Sequence, residues 1–249
     1  MRFAKCPYIA VFFAAALGPA TLVTAAPIDI GKVRIELPVP SSSVEITEQL
    51  PVFRKIVESV VPEGNTLIGL YAPEADVKKA AQGEVDLPRY MMAQSARAAE
   101  NLDVSAADFE SLAELSKAQL PSLKDVIDGA AKDAIKKASD TLSAETRTDM
   151  DMQLGETKIL GVYAEEKDWL GLSLTMRVQA AGADETASPR TLVCAANTVR
   201  VRNRLLYLFV YAQYASDTDK VWTERVSRDW INATWRANPA RAASAAKTN

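Results

Sequence analysis

Three arginines, Arg200, Arg202 and Arg204, occupy alternate positions just before a run of eight apolar residues, Leu205 to Ala212. Guanidinium groups at that spacing can dock a phosphate or a carboxylate, because each offers paired N–H donors matched to two anionic oxygens. A solvated strand face and hairpin tip, whose charge opposes edge-to-edge association, explains the same pattern without a ligand. A second group is Glu165, Glu166 and Asp168 beside Trp169. Paired carboxylates serve glycoside cleavage or cation binding, although a polar hairpin turn also accounts for them. A third is the set Trp222, Trp230 and Trp235 near the C-terminus. The 222–230 spacing suits one core-facing side of a helix, while Trp235 falls off that side and is expected at the surface. Arg200, Arg202, Arg204 and Trp235 are therefore the candidate binding residues.

Histidine is absent from all 249 residues. That excludes Ser-His-Asp and Cys-His machinery, histidine-based zinc sites and imidazole acid–base catalysis within this chain. The cysteines are Cys6 and Cys194. Cys194, in the apolar "TLVCAA", reads as a small buried hydrophobe rather than a nucleophile. "DMD" (149–151) lacks the glycine and later ligands of a calcium loop, and no phosphate-cradling glycine loop or nucleophile elbow occurs. No catalytic residue, metal site or cofactor is assigned from the sequence.

The N-terminal stretch "MRFAKCPYIAVFFAAALGPATLVTAAPID" has the layout of a secretory signal peptide. Arg2 and Lys5 precede a short apolar region, too short to span about 30 Å of hydrocarbon, and small residues follow. Cleavage is expected after Ala25, since a cut after Ala26 would put Pro27 at the first position of the product. Removing residues 1–25 takes away Arg2 and Lys5 and no acid, moving the net charge from −3 to −5. An acidic chain is a poor polyanion binder, so nucleic acid is not an expected partner. Nor is stable membrane insertion expected once the leader is cut. Cys6 is expected to be lost with the leader, leaving Cys194 alone, so no intramolecular disulfide is expected despite export.

Positioning these residues requires a sheet. "PIDIGKVRIELPVP" (27–40), with Val33, Ile35 and Leu37 alternating against Lys32, Arg34 and Glu36, predicts a strand with one wet face. "PVFRKIVESVV" (51–61) has helical spacing at Phe53, Ile56, Val57 and Val60, with Pro51 in the first turn and Pro62 as the stop. "TLIGLYAP" (66–73) and "RYMMAQSARAA" (89–99) read as strands around a short helix at 74–83. The stretch 103–140 predicts a long amphipathic helix, started by Ser105 with Asp108 and kinked or split at Pro121. "ETKILGVYAE" and "WLGLSLTMRVQA" form a predicted hairpin around Glu166-Lys167-Asp168, followed by a loop over 181–189. "RTLVCAANTVRV" leads through a tight Arg202-Asn203 turn into the apolar run. A closing helix over 216–238 is expected to turn Val221, Trp222, Val226 and Trp230 inward.

The apolar run is half the length of a membrane helix and follows an alternating segment. It reads as the second strand of a hairpin, buried on both faces in the middle of a sheet. The order of elements, ending in "NRLLYLFVYAQYASDTDKVWTERVSRDWINATWRAN", resembles the PsbP/DcrB-like α/β proteins over residues 28–238. The resemblance implies an α+β fold, an antiparallel sheet sandwiched by helices, and an accessory or envelope-associated role rather than catalysis. Some family members bind metal through histidine, which this chain does not have. The expected organisation is a signal peptide (1–25), one α+β domain (26–238) and a disordered tail (239–249). The expected function is a periplasmic or secreted, non-catalytic accessory or binding protein of the cell envelope. Its partner would be an envelope protein or a small ligand. Two other readings are a carboxylate-dependent hydrolase of envelope glycans and a self-assembling scaffold subunit.

Overall fold

A computed structural model describes residues 26–82, 87–147, 150–182 and 189–239. The expected signal peptide, the expected tail beyond Pro239, Gly83 and positions 183–188 lie outside the described residues. The fold is α+β, an antiparallel sheet with helices on both faces. In chain order the elements are β1 (Ala26–Ile30), β2 (Val33–Leu37), β3 (Ser43–Glu45), α1 (Pro51–Val60), β4 (Asn65–Pro73), α2 (Glu74–Ala81) and β5 (Arg89–Ala96). They continue with α3 (Ala106–Ala118), α4 (Leu120–Thr146), β6 (Met150–Glu166), β7 (Trp169–Gly182), β8 (Arg190–Val201), β9 (Arg204–Gln213) and α5 (Asp217–Ala237).

Seven strands form one sheet in the order β3-β4-β5-β9-β8-β7-β6, every neighbouring pair antiparallel. The apolar run is β9, the middle strand. Leu206, Leu208 and Val210 point to one face and are fully buried with Trp230 and Ile231 of α5. At about 1.5–3 kcal/mol per buried side chain, these three contribute strongly to holding the sheet. On the other face Tyr211 and Cys194 pack with Val57 of α1 and Met92 of β5. Phe209 is only half-buried, although the apolar run suggests full burial. It lines a gap of about 210 Å³ with Leu172, Ala196 and Gln119, at the place where the helical layer breaks.

That break is the expected effect of Pro121. α3 ends at Ala118 and α4 starts at Leu120, with Pro121 in its first turn, where no N–H is needed. The predicted cap also forms. Ser105 Oγ accepts from the Asp108 N–H (3.1 Å), and the Asp108 carboxylate accepts from the Ser105 N–H (2.9 Å). α4 runs to Thr146, six residues past the predicted end. Nothing in "TLSAET" breaks a helix, and its neighbours α1 and β6 pack along it.

Two further expectations are corrected. The N-terminal strand is a hairpin, β1 with β2, forming a separate two-stranded sheet. Gly31 makes the turn at φ +58, and a Cβ there would lie 2.3 Å from the Glu100 carbonyl oxygen, so no larger residue fits. Of the α5 residues expected to turn inward, Trp230 is buried and Trp222 and Val226 pack against the core, whereas Val221 points outward. Val221 is 59% exposed, and the fully buried positions are Thr223, Ser227, Trp230, Ile231 and Thr234. Small hydroxyl residues let the helix approach the sheet closely. The hydroxyls of Thr223 and Thr234 donate to the carbonyls of Lys220 and Trp230, so they are buried with partners.

Trp230 donates its Nε1 proton to the Pro38 carbonyl (2.7 Å) and meets Tyr71 edge-to-face at 5.5 Å. Trp222 is half-buried, with the Arg89 guanidinium over its ring. Trp230→Ala is therefore expected to cost about 3–5 kcal/mol, and Trp222→Ala distinctly less. Equilibrium urea unfolding of the two variants beside the parent measures the difference. An unaltered midpoint for Trp230→Ala would mean that α5 is not docked.

Candidate functional site

The expected pair of hairpins brings two turns to one pole of the sheet: Lys167-Asp168 between β6 and β7, and Arg202-Asn203 between β8 and β9. Arg202 and Asn203 have φ values of 50 and 61, the left-handed conformation of a two-residue hairpin turn. The C-terminal end of α5 and the β1–β2 hairpin close the same pole. Together they enclose an open groove of about 690 Å³ whose lining includes Glu166, Lys167, Asp168, Arg200, Arg202 and Trp235.

The three arginines have different surroundings. Arg200 is the main tie of the pole. Its guanidinium holds Asp168 (2.6 and 2.7 Å) and the Asn203 amide oxygen (2.7 Å), and reaches the Val104 carbonyl before α3 (3.4 Å). Arg204 is buried, and its Nη1 donates to the carbonyls of Leu102 and Asn203 and to Asp103 Oδ1. Neither side chain therefore lies on a solvated face. Each lashes the loop that enters α3 to the β8–β9 turn, because a buried guanidinium must find acceptors. Arg204 Nε finds none. Arg202 remains at the groove, with Nη1 on the neutral Arg34 carbonyl (2.7 Å). Arg200 and Arg202 line the groove, and Arg204 does not.

Trp235 is half-buried rather than exposed. Its ring packs edge-to-face on Trp169 at 6.4 Å, and Nε1 donates to the Arg200 carbonyl (3.2 Å). The 230–235 offset takes Trp235 away from Trp230, but the end of β8 curls beneath the helix terminus and receives it. Glu166 is paired with Arg228 of α5 (3.1 Å), whose guanidinium also lies over the Trp169 ring. Glu165 points elsewhere and pairs with Lys117 of α3.

The sheet also holds a polar knot that the sequence signals only weakly. Asn197 sits in the middle of β8, a poor strand position for asparagine. Its Oδ1 accepts from the Tyr163 hydroxyl and from Trp169 Nε1 (2.8 Å). Its Nδ2 donates to the Leu208 carbonyl (2.8 Å) and to Ser227 Oγ of α5 (3.1 Å). Burial raises the Tyr163 phenol, and the bonds to Ser227 and Asn197 offset part of that. Asn238 similarly fastens the end of α5. Nδ2 donates to the carbonyls of Glu36 and Thr234, and Oδ1 accepts from the Glu36 N–H.

Cys194 is 2% exposed and lies away from the groove. Burial pushes its thiol up to about 12, which agrees with a packing role. Among the described residues no group of three or more carboxylates and cysteines could hold a metal ion. No described helix is long and apolar enough to cross a membrane.

No family model and no curated protein sequence matches the chain. Two solved structures share its fold coarsely. One is the solution structure of cyanobacterial PsbP (CyanoP) from Synechocystis sp. PCC 6803, with 8% identity over 87% of this chain and 96% of that one, at a TM-score of 0.30. The other is a point mutant of the protein Mog1, with 8% identity over 86% and 94% and a TM-score of 0.32. The likeness is one of fold alone.

Two outcomes follow from these contacts. Arg200→Ala removes a half-buried cation that holds three elements and leaves Asp168 unpaired, so it should destabilise the protein by about 1–3 kcal/mol. Arg202→Asn keeps a residue that tolerates positive φ and should cost less than about 1 kcal/mol. Thermal melts of both variants check this, and equal losses would contradict it. For Cys194 the sign is set by protons. The folded state retains the thiol proton to about pH 12, while an unfolded thiol releases it near pH 9. Its contribution is complete below pH 9 and is lost as pH rises above it, at about 1.4 kcal/mol per pH unit. The buried phenols of Tyr90 and Tyr211 are also raised by burial and extend the loss above about pH 10. Unfolding free energies measured from pH 8 to pH 10 should fall, and the fall should be shallower for Cys194→Ala.

Proposed function

We propose that this is an exported, periplasmic protein acting as a non-catalytic accessory or binding module of the cell envelope. The groove between the two hairpin turns is where it meets its ligand or partner. The observation that carries this reading is the state of the groove's charged groups. Asp168 is held by Arg200 and Glu166 by Arg228, so neither carboxylate stands free as an acid or a nucleophile. Lys167, Arg202 and the Trp235 ring face a space large enough for a small ligand. Such a surface suits recognition. Export rests on Arg2, Lys5 and the apolar stretch after them, and the absence of histidine is compatible with a binding role.

A hydrolase reading has in its favour that Glu166 and Asp168 line one groove. Against it, each would have to leave its arginine before it could move a proton or attack a sugar carbon.

Osmotic-shock fractionation of the source cells, with N-terminal sequencing of the recovered protein, tests the first part. The expected product is periplasmic and begins at Ala26. Full-length protein in the cytosol would refute export. Hydrolysis of peptidoglycan fragments by the pure protein, lost in Asp168→Asn, would refute the non-catalytic role.

A further inference from the structure

We infer that the groove takes a small organic anion with a flat apolar body, its charge held by Lys167 and Arg202 and its body by Trp235 and Val33. This identifies the ligand class of the groove and rests on the reading of that groove as the binding site.

Five charged side chains line it: Glu166, Lys167, Asp168, Arg200 and Arg202. Both carboxylates are already neutralised, Asp168 by Arg200 at 2.6 Å and Glu166 by Arg228 at 3.1 Å. Arg202 touches only a carbonyl, that of Arg34, and no ion pair of Lys167 is found among the described residues. Among the described residues these two positive charges thus form no ion pair, in a chain whose net charge is −3. Both lie at the tips of tight turns, and the Arg202 guanidinium, held at Nη1 by the Arg34 carbonyl, faces no carboxylate among the described residues.

The rest of the lining has little hydrogen-bonding capacity left to offer. Trp235 Nε1 is committed to the Arg200 carbonyl, and the Asn238 amide bonds Glu36 and Thr234. The indole and Val33 therefore present apolar surface. A bare phosphate would satisfy the cations and leave that surface wet. An uncharged hydrocarbon would cover the surface and desolvate two cations without partners, which is unfavourable. An anion carrying an aromatic or similarly flat body meets both requirements, with a charge-assisted contact at one end and a ring on the indole at the other.

The test is a titration of isotope-labelled protein with naphthoate, following the backbone amide signals of Lys167, Arg202 and Asn203. Naphthylmethanol, naphthylmethylamine and inorganic phosphate are titrated in parallel. Naphthoate is expected to shift these amides and to bind more tightly than each of the other three. Its affinity should fall about tenfold in Lys167→Gln and in Arg202→Asn, the scale of one charge-assisted hydrogen bond. Arg202→Asn keeps the turn conformation, and an unchanged melting temperature of Lys167→Gln shows that its loss is not unfolding. If the alcohol, the amine or phosphate shifts the same amides at equal or lower concentration, the anion-with-apolar-body assignment is overturned while the groove remains a binding site. Undiminished naphthoate affinity in both variants also overturns it. If none of the four probes moves these amides, both the assignment and the groove reading fail.

Discussion

The pairing of β5 with β9 is the contact on which the rest of the structure depends. β3, β4 and β5 form one antiparallel run and β6 to β9 another, separated in sequence by the α3–α4 excursion. The two runs meet only where Arg89–Gln94 pairs with Tyr207–Ala212. That ladder joins segments more than a hundred residues apart, so its chain-closure entropy must be offset by what it buries. Leu206, Leu208 and Val210 with Met91 and Ala93 on one face, and Tyr211 with Tyr90 and Met92 on the other, make the offset possible. Tyr90 and Tyr211 stack at 4.6 Å across the seam. The helices then find two finished faces. α5 and the β1–β2 hairpin cover one, and α1, α3 and α4 lie on the other.

Each face is secured by polar groups as well as apolar ones. Asn197 links β6, β7, β9 and α5 through a single amide, with donors and acceptors all matched. Removing one partner from such a buried knot leaves the others unsatisfied, which is why an asparagine can be retained at the centre of an apolar strand. Arg200 does the same at the pole, where it gathers the β6–β7 turn, the β8–β9 turn and the approach to α3. The groove takes its shape from these fixed turns and is a consequence of how the sheet's ends are tied.

The outer strand β6 shows how the fold treats an open edge. It is 17 residues long, and three irregularities interrupt its register with β7, between Leu154 and Thr157, Ile159 and Gly161, and Val162 and Ala164. Bulges twist an edge away from continuous pairing. Lys158 and Glu156 add charge along the same stretch. Leu160 and Val162 remain partly exposed nearby, so the edge is protected by its irregular backbone and charge more than by cover.

The sequence by itself determined the local features whose cause is local. The Ser105–Asp108 cap, the break at Pro121, the left-handed Arg202-Asn203 turn and the buried run at Leu205–Ala212 each follow from the residues at that site. The α+β architecture follows from their order. Which arginine at the groove stays out of an ion pair was decided by tertiary structure alone. Arg200, Arg202 and Arg204 are the same residue type at the same spacing, and only the arrival of Asp168, Leu102, Asp103 and Val104 from distant segments separates two structural ties from one open cation. Trp235 lies off the Trp230 side as its spacing implies, but helical spacing describes one helix and cannot register Trp169 approaching from the sheet. Apolar periodicity finds Trp222, Val226 and Trp230 on the inward side of α5 but not Thr223 and Thr234, whose buried hydroxyl protons are satisfied within the helix. Local chemistry is written along the chain, whereas burial and pairing are properties of neighbours that only folding supplies.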